Sequence, residues 1–166
     1  MTEFLGFDHL IEGDVNAWVQ ALPSYQRTHI EHMLETAGPI EVATEWLTSS
    51  GPKDTAPYGG LRVGAARFYD NLLLELQKLF CGGQEYEEDR ERLGQAAGAN
   101  KLVMVGTISA ALAPHVGVAA AVLGPAIALT LGVVGNAGRT SICQTLEEMI
   151  AERAKGDETQ ASSGGA

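Results

Sequence analysis

The sequence predicts an all-α protein, a compact bundle of about six to seven helices around a hydrophobic Gly/Ala-rich helical hairpin. Three observations carry that expectation. Apolar residues recur at helical spacing through most of the chain, and clusters of Gly, Pro and Ser separate those stretches. The 37 residues from Leu102 to Gly138 contain no Asp, Glu, Lys or Arg.

Taken in order, Asp14 is placed to cap a short helix with Val15, Trp18, Val19 and Leu22 on one face, ended by Pro23. Ser24 is a suitable cap for the next, where Ile30, Met33, Leu34 and Ala37 form a stripe closed by Gly38. Pro39 fits the first turn of a third helix that turns Ile40, Ala43, Trp46 and Leu47 inward. Residues 48–60 hold Ser-Ser-Gly-Pro and Pro-Tyr-Gly-Gly, an exposed loop and the best internal sub-boundary. Leu61 to Phe80 has the broadest apolar face, with Phe68, Tyr69, Leu72, Leu73, Leu76, Leu79 and Phe80 on it, and Gly82 and Gly83 stop it. Gln84 to Leu93 is charged and reads as a solvated helix, with Glu88 and Arg92 at four-residue spacing.

Within the charge-free segment, Pro114 and Gly117 mark a turn between a helix near Leu102–Ala113 and another near Val118–Gly135. Val103–Ile108 and Leu129–Val134 are apolar runs that periodicity alone does not classify; the Ala-rich composition around them favours helix. Gly124, Ala128 and Gly132 repeat every four residues, and Gly106 with Ala110 repeats that spacing in the first half. Small residues so placed let helix backbones approach closely, so these five are the expected hairpin-packing positions. Ile142, Leu146, Met149 and Ile150 define a last amphipathic helix ending near Ala154, and residues 155–166 read as a disordered polar tail. The expected organisation is one domain over residues 1–154.

Length weighs on where the hairpin goes. Two membrane spans need roughly 20 apolar residues each plus a turn, so 37 residues make a marginal pair. Lys101 and Arg139 bracket the segment and would lie on one side of a membrane, yet charged residues also flank any segment that re-emerges from a core. Amphipathic helices around an apolar hairpin resemble, in architecture, the pore-forming domains of colicins and Bcl-2-like proteins. That layout implies a soluble bundle able to insert into a membrane; no motif of either family is present and no residue role carries over.

The chemistry-bearing residues form no complete site. Gly135-Asn136-Ala137-Gly138-Arg139-Thr140-Ser141 superficially resembles a phosphate loop, but Val133 and Arg139 stand where that loop needs Gly and Lys, so Thr140 or Ser141 is read as a helix cap. His29, His32 and Glu35 share a helix face without the spacing of a zinc protease site, and His9 is an ordinary surface histidine. Cys81 and Cys143 lack metal or redox spacing and are expected to be reduced thiols, with Cys81 at a helix C-terminus where a thiolate is disfavoured. Nothing in the spacing brings Cys143 to His115 as nucleophile and base. Trp18, Trp46, Tyr25, Tyr58, Tyr69 and Tyr86 could make a recognition surface, although both tryptophans lie on inward stripes.

The formal charge is -10, and residues 1–60 carry nine acids against two bases. With no basic cluster, attraction to a phosphate backbone is missing and nucleic acid is not an expected partner. The acidic opening MTEFLGFDHL lacks the form of a signal peptide, so a cytoplasmic, alternatively membrane-associated, location is expected. The expectation is therefore a non-enzymatic interaction or self-assembly module, with no cofactor, that pairs with a protein partner or a second copy. A membrane-inserting effector is the alternative.

Overall fold

The computed structural model describes residues 14–50, 61–95, 100–117, 119–136 and 142–163. Among them the chain is all helical, with eight α-helices and no strand. In chain order these are α1 (Val15–Gln20), α2 (Ser24–Leu34), α3 (Pro39–Ser50), α4 (Leu61–Cys81), α5 (Glu87–Gln95), α6 (Lys101–Val116), α7 (Ala120–Asn136) and α8 (Ile142–Ser163), with a short 3₁₀ turn at Gln84–Tyr86 before α5.

Local chemistry accounts for most of these limits. The Asp14 carboxylate accepts from the Ala17 N–H at 2.9 Å and starts α1. Asn100 does the same for α6 through the Val103 N–H at 3.0 Å. Helix α4 ends where Gly82 takes φ 101°, and the Gly83 N–H returns to the Lys78 carbonyl at 2.8 Å. Ser24, expected as a cap, is instead the first residue of α2; Pro23 precedes it, its fixed φ already suited to helix entry. The last helix runs to Ser163 rather than stopping near Ala154. Once a helix is nucleated, each added residue gains a hydrogen bond for one residue fixed, and no proline intervenes. The Thr140/Ser141 cap, Tyr58 and most of the 135–141 motif lie outside the described residues.

Helix α7 is the centre of the bundle. Every residue from Leu123 to Gly132 is buried, because α1, α3 and α6 pack along it and α2 and α8 add smaller contacts. An all-round apolar helix has no face to give to water, so enclosure is its stable place; side chains such as Leu123, Ile127 and Leu131 each contribute about 1.5–3 kcal/mol. Helices α4 and α8 pair alongside, and α5 leans on α6. Leu61–Cys81 is one continuous helix, as its stripe predicts, and Leu72, Leu73, Leu76, Leu79 and Phe80 are all buried.

Pro125 does not interrupt α7. A proline removes one backbone donor to the carbonyl four residues earlier, here Ala121, and strains that turn. Side chains supply donors instead: Gln26 Nε2 reaches the Ala121 carbonyl at 3.1 Å, and Trp46 Nε1 reaches that of Val122 at 2.8 Å. Deeper in the helix Thr130 Oγ1 donates to the Ala126 carbonyl at 2.8 Å and lies 2.8 Å from the Tyr69 hydroxyl. Thr130 has one hydroxyl hydrogen, so Tyr69 is the donor of that second bond.

The two cysteines are a correction to the sequence reading. Cys81 and Cys143 form a disulfide with Cα atoms 5.7 Å apart. It joins the last residue of α4 to the first turn of α8. The pairing was hidden because 62 residues separate the two, and only the antiparallel return of α8 along α4 brings them together.

Candidate functional site

The five small residues divide between two places. Ala128 is fully buried on α7. A Cβ on Gly132 would lie 2.5 Å from Val15 Cα and 3.0 Å from Val15 N, so this glycine lets the backbone of α1, not α6, come close. A Cβ on Gly124 would make ordinary contact with Val105 of α6 at 3.8 Å, so that position does lie within the hairpin. Gly106 and Ala110, in contrast, are exposed, and a Cβ on Gly106 would meet nothing within 4 Å. The expected role of Gly106 and Ala110 in hairpin packing is thus replaced by a position on the outer face of α6. The reason is geometric: α6 and α7 are inclined by 114° beyond Gly117, which takes φ 82°, and α6 turns Met104, Val105, Ile108 and Leu112 to the core, which leaves Gly106 and Ala110 on the opposite side.

That outer face carries two of the four large hydrophobic side chains that are exposed among the described residues. Leu102 and Val103 are 46% and 44% exposed, followed along the helix by Gly106, Ala110 and Pro114. Below them, Met104, Val105, Ile108 and Leu112 face the core. Two clefts flank the ridge. One, of about 470 Å³, lies between α5 and α6 and is lined by Asp89, Arg92, Val103, Gly106, Thr107 and Ala110. The other, of about 210 Å³, is bounded by Tyr25, Gln26, Leu102, Ser109, Ala121 and Gly124, among others, and carries no charged residue. Gly106 lines both clefts.

The charged stretch before α6 holds the first cleft in place. Tyr86 and Leu93 are fully buried, which its overall polarity concealed. The Tyr86 hydroxyl donates to Glu75 Oε2 at 2.5 Å, and its ring lies 4.9 Å from that of His115. Burial, with the carboxylate bond second, pushes the Tyr86 phenol well above its ordinary pKa. Arg92 pairs with Asp89 at 3.7 Å rather than with Glu88, and its side chain is largely exposed on the cleft's rim. Across the bundle, Arg153 contacts Asp70 and lies 4.7 Å from the Tyr69 ring centre.

The remaining chemical candidates stay apart. His32 sits 3.5 Å from Glu35 on the surface, while His29 is edge-on to Trp46 with ring centres 5.6 Å apart. Among the described residues no group of three or more His, Cys, Asp or Glu is placed to hold a metal ion. His115 packs on Tyr86 and Cys143 is bonded to Cys81, so the two do not form a nucleophile and base. Trp18 is buried with Lys101 over its ring at 5.3 Å, Trp46 is half-buried and Tyr25 is exposed. Tyr69 and Tyr86 are core residues, so among the described residues these side chains do not gather into an aromatic surface. Among the described residues, the Ser109 hydroxyl and Trp18 Nε1 are buried with no hydrogen-bond partner.

Among the described residues no single helix is long and apolar enough to cross a membrane; the bent pair Lys101–Val116 and Ala120–Gly135 meets that test together, by length and composition. Comparison of the chain with protein-family models, with curated proteins and with solved structures finds no match.

Proposed function

We propose that the protein is a non-enzymatic interaction module that encloses the apolar α7 and presents the outer face of α6 to a protein partner. The observation that carries this reading is the exposed, charge-free ridge of Leu102, Val103, Gly106 and Ala110 between two clefts. Large aliphatic side chains so exposed on a helix gain by being covered, and no charge on the ridge itself has to be desolvated. The buried hydroxyl bonds of Tyr69 to Thr130 and of Tyr86 to Glu75 tie elements of the bundle together rather than converge on an open cavity.

A photo-crosslinking residue in place of Val103, with another at the exposed Glu148 of α8 as control, tests the reading in cells. A discrete protein adduct from position 103 alone supports it. No adduct, or the same set from both positions, overturns it. The bent apolar pair supports a second reading, in which α6 and α7 enter a lipid bilayer; adducts to lipid alone from position 103 would favour that one and overturn the first.

A further inference from the structure

We infer that the partner of the α6 face is a second copy of this chain, paired about a two-fold axis that passes through Gly106; this rests on the interaction reading above. The face is complementary to itself in both size and charge. A helix-interior glycine lowers helix stability relative to alanine, and at position 106 neither a positive φ nor a crowded neighbour requires one. What the missing side chain provides is a point where another backbone can come close, with Ala110 one turn further on.

Consider a two-fold axis lying in the plane of the face and perpendicular to α6. It runs the two helices antiparallel and sets Gly106 against Gly106 of the second copy. Four residues along a helix are about 6 Å, so Leu102 and Val103 of each copy fall over Ala110 of the other. Large exposed side chains then meet small ones, twice, as an isologous interface requires. The same axis keeps the α5 flank of one copy beside the α5 flank of the other and reverses its direction. Asp89 and Arg92 line the cleft on that flank, and reversal brings Asp89 of each copy toward Arg92 of the other. Arg92 is free to change partner because its side chain is 69% exposed. An unrelated helix would satisfy the apolar ridge, but it has no reason to reproduce this order of charges.

Sedimentation velocity on the purified full chain over a range of concentrations tests the pairing. The expected result is a reversible dimer that Gly106→Leu abolishes, with the helical content of the isolated chain kept and its melting temperature unchanged or slightly raised, since the new side chain meets nothing in its own bundle and a helical glycine is removed. Arg92→Asp should weaken the dimer by about tenfold, and adding Asp89→Arg to it should restore most of the loss, because the swapped pair is again complementary. A wild-type chain that stays monomeric throughout, a dimer indifferent to Gly106→Leu, or a charge swap that restores nothing overturns the pairing. A monomeric chain that still gives a Val103 crosslink of foreign mass would remove the self-pairing and keep the interaction reading; no Val103 adduct at all would remove both.

Discussion

Replacing Gly132 with alanine separates a glycine needed for packing from one that is not. The added Cβ would stand 2.5 Å from Val15 Cα, whereas carbon atoms in contact prefer about 3.5–4.0 Å. The obstacle is backbone, so α1 as a whole has to move by about 1 Å or more, an overpacking cost of about 1–3 kcal/mol. Against this stands a helix-propensity gain of about 1 kcal/mol for removing a helical glycine. Gly106→Ala is the matched control: it has the same propensity gain, and its Cβ meets nothing within 4 Å. In dilute solution the difference between the two variants therefore isolates the overpacking cost. For a chain of this size each kcal/mol moves the melting temperature by about 2–4 °C, so Gly132→Ala should melt clearly below Gly106→Ala by circular dichroism, with the urea midpoint in the same order. Equal melting temperatures, or the reverse order, would refute the close approach of α1 to α7.

Four further outcomes are expected. Cys81→Ser combined with Cys143→Ser opens a loop spanning 62 residues, which the chain-entropy relation values at about 4 kcal/mol; the urea midpoint of the variant should fall, and mass spectrometry of alkylated wild-type protein should find both thiols blocked before reduction. Burial pushes the Tyr69 phenol up to about 12, offset in part by the Thr130 bond and the Arg153 charge. Its folded pKa is thus raised, so its contribution to stability is complete below the unfolded value near 10 and is lost as pH rises from there to about 12, by about 1.4 kcal/mol per pH unit at most; alkaline titration of unfolding should lose part of that slope in Tyr69→Phe. Trp46→Phe removes the 2.8 Å bond to the Val122 carbonyl beside Pro125; a loss of about 1 kcal/mol and faster amide exchange in the first turns of α7 should follow, and unchanged exchange would mean that water serves that carbonyl as well. Leu73→Asp places a carboxylate in a fully buried position, at a cost of several kcal/mol; normal solubility with an unchanged melt would contradict the burial of α4.

The sequence alone determined the helices and most of their ends. Stripes such as Leu72, Leu73, Leu76 and Leu79 are a direct record of a 3.6-residue period, and Pro39, Gly82, Gly83 and Gly117 stop or start helices through backbone constraints that need no tertiary partner. It also marked 102–138 as the most apolar part of the chain, which the structure encloses along α7 and on only one face of α6. Tertiary structure decided which surfaces meet. A helix apolar on every side, like α7, has no preferred face, so periodicity could not say that Gly132 serves α1 while Gly106 and Ala110 remain outside. Tyr86 and Leu93 disappeared into a run of charges because two anchors are enough to fix a short helix whose other residues are solvated. The donors that reach the carbonyls beside Pro125 come from 95 and 76 residues away, and the disulfide closes over 62. Contacts of that range depend on how chain segments return to one another in space, and local sequence patterns hold no record of the return.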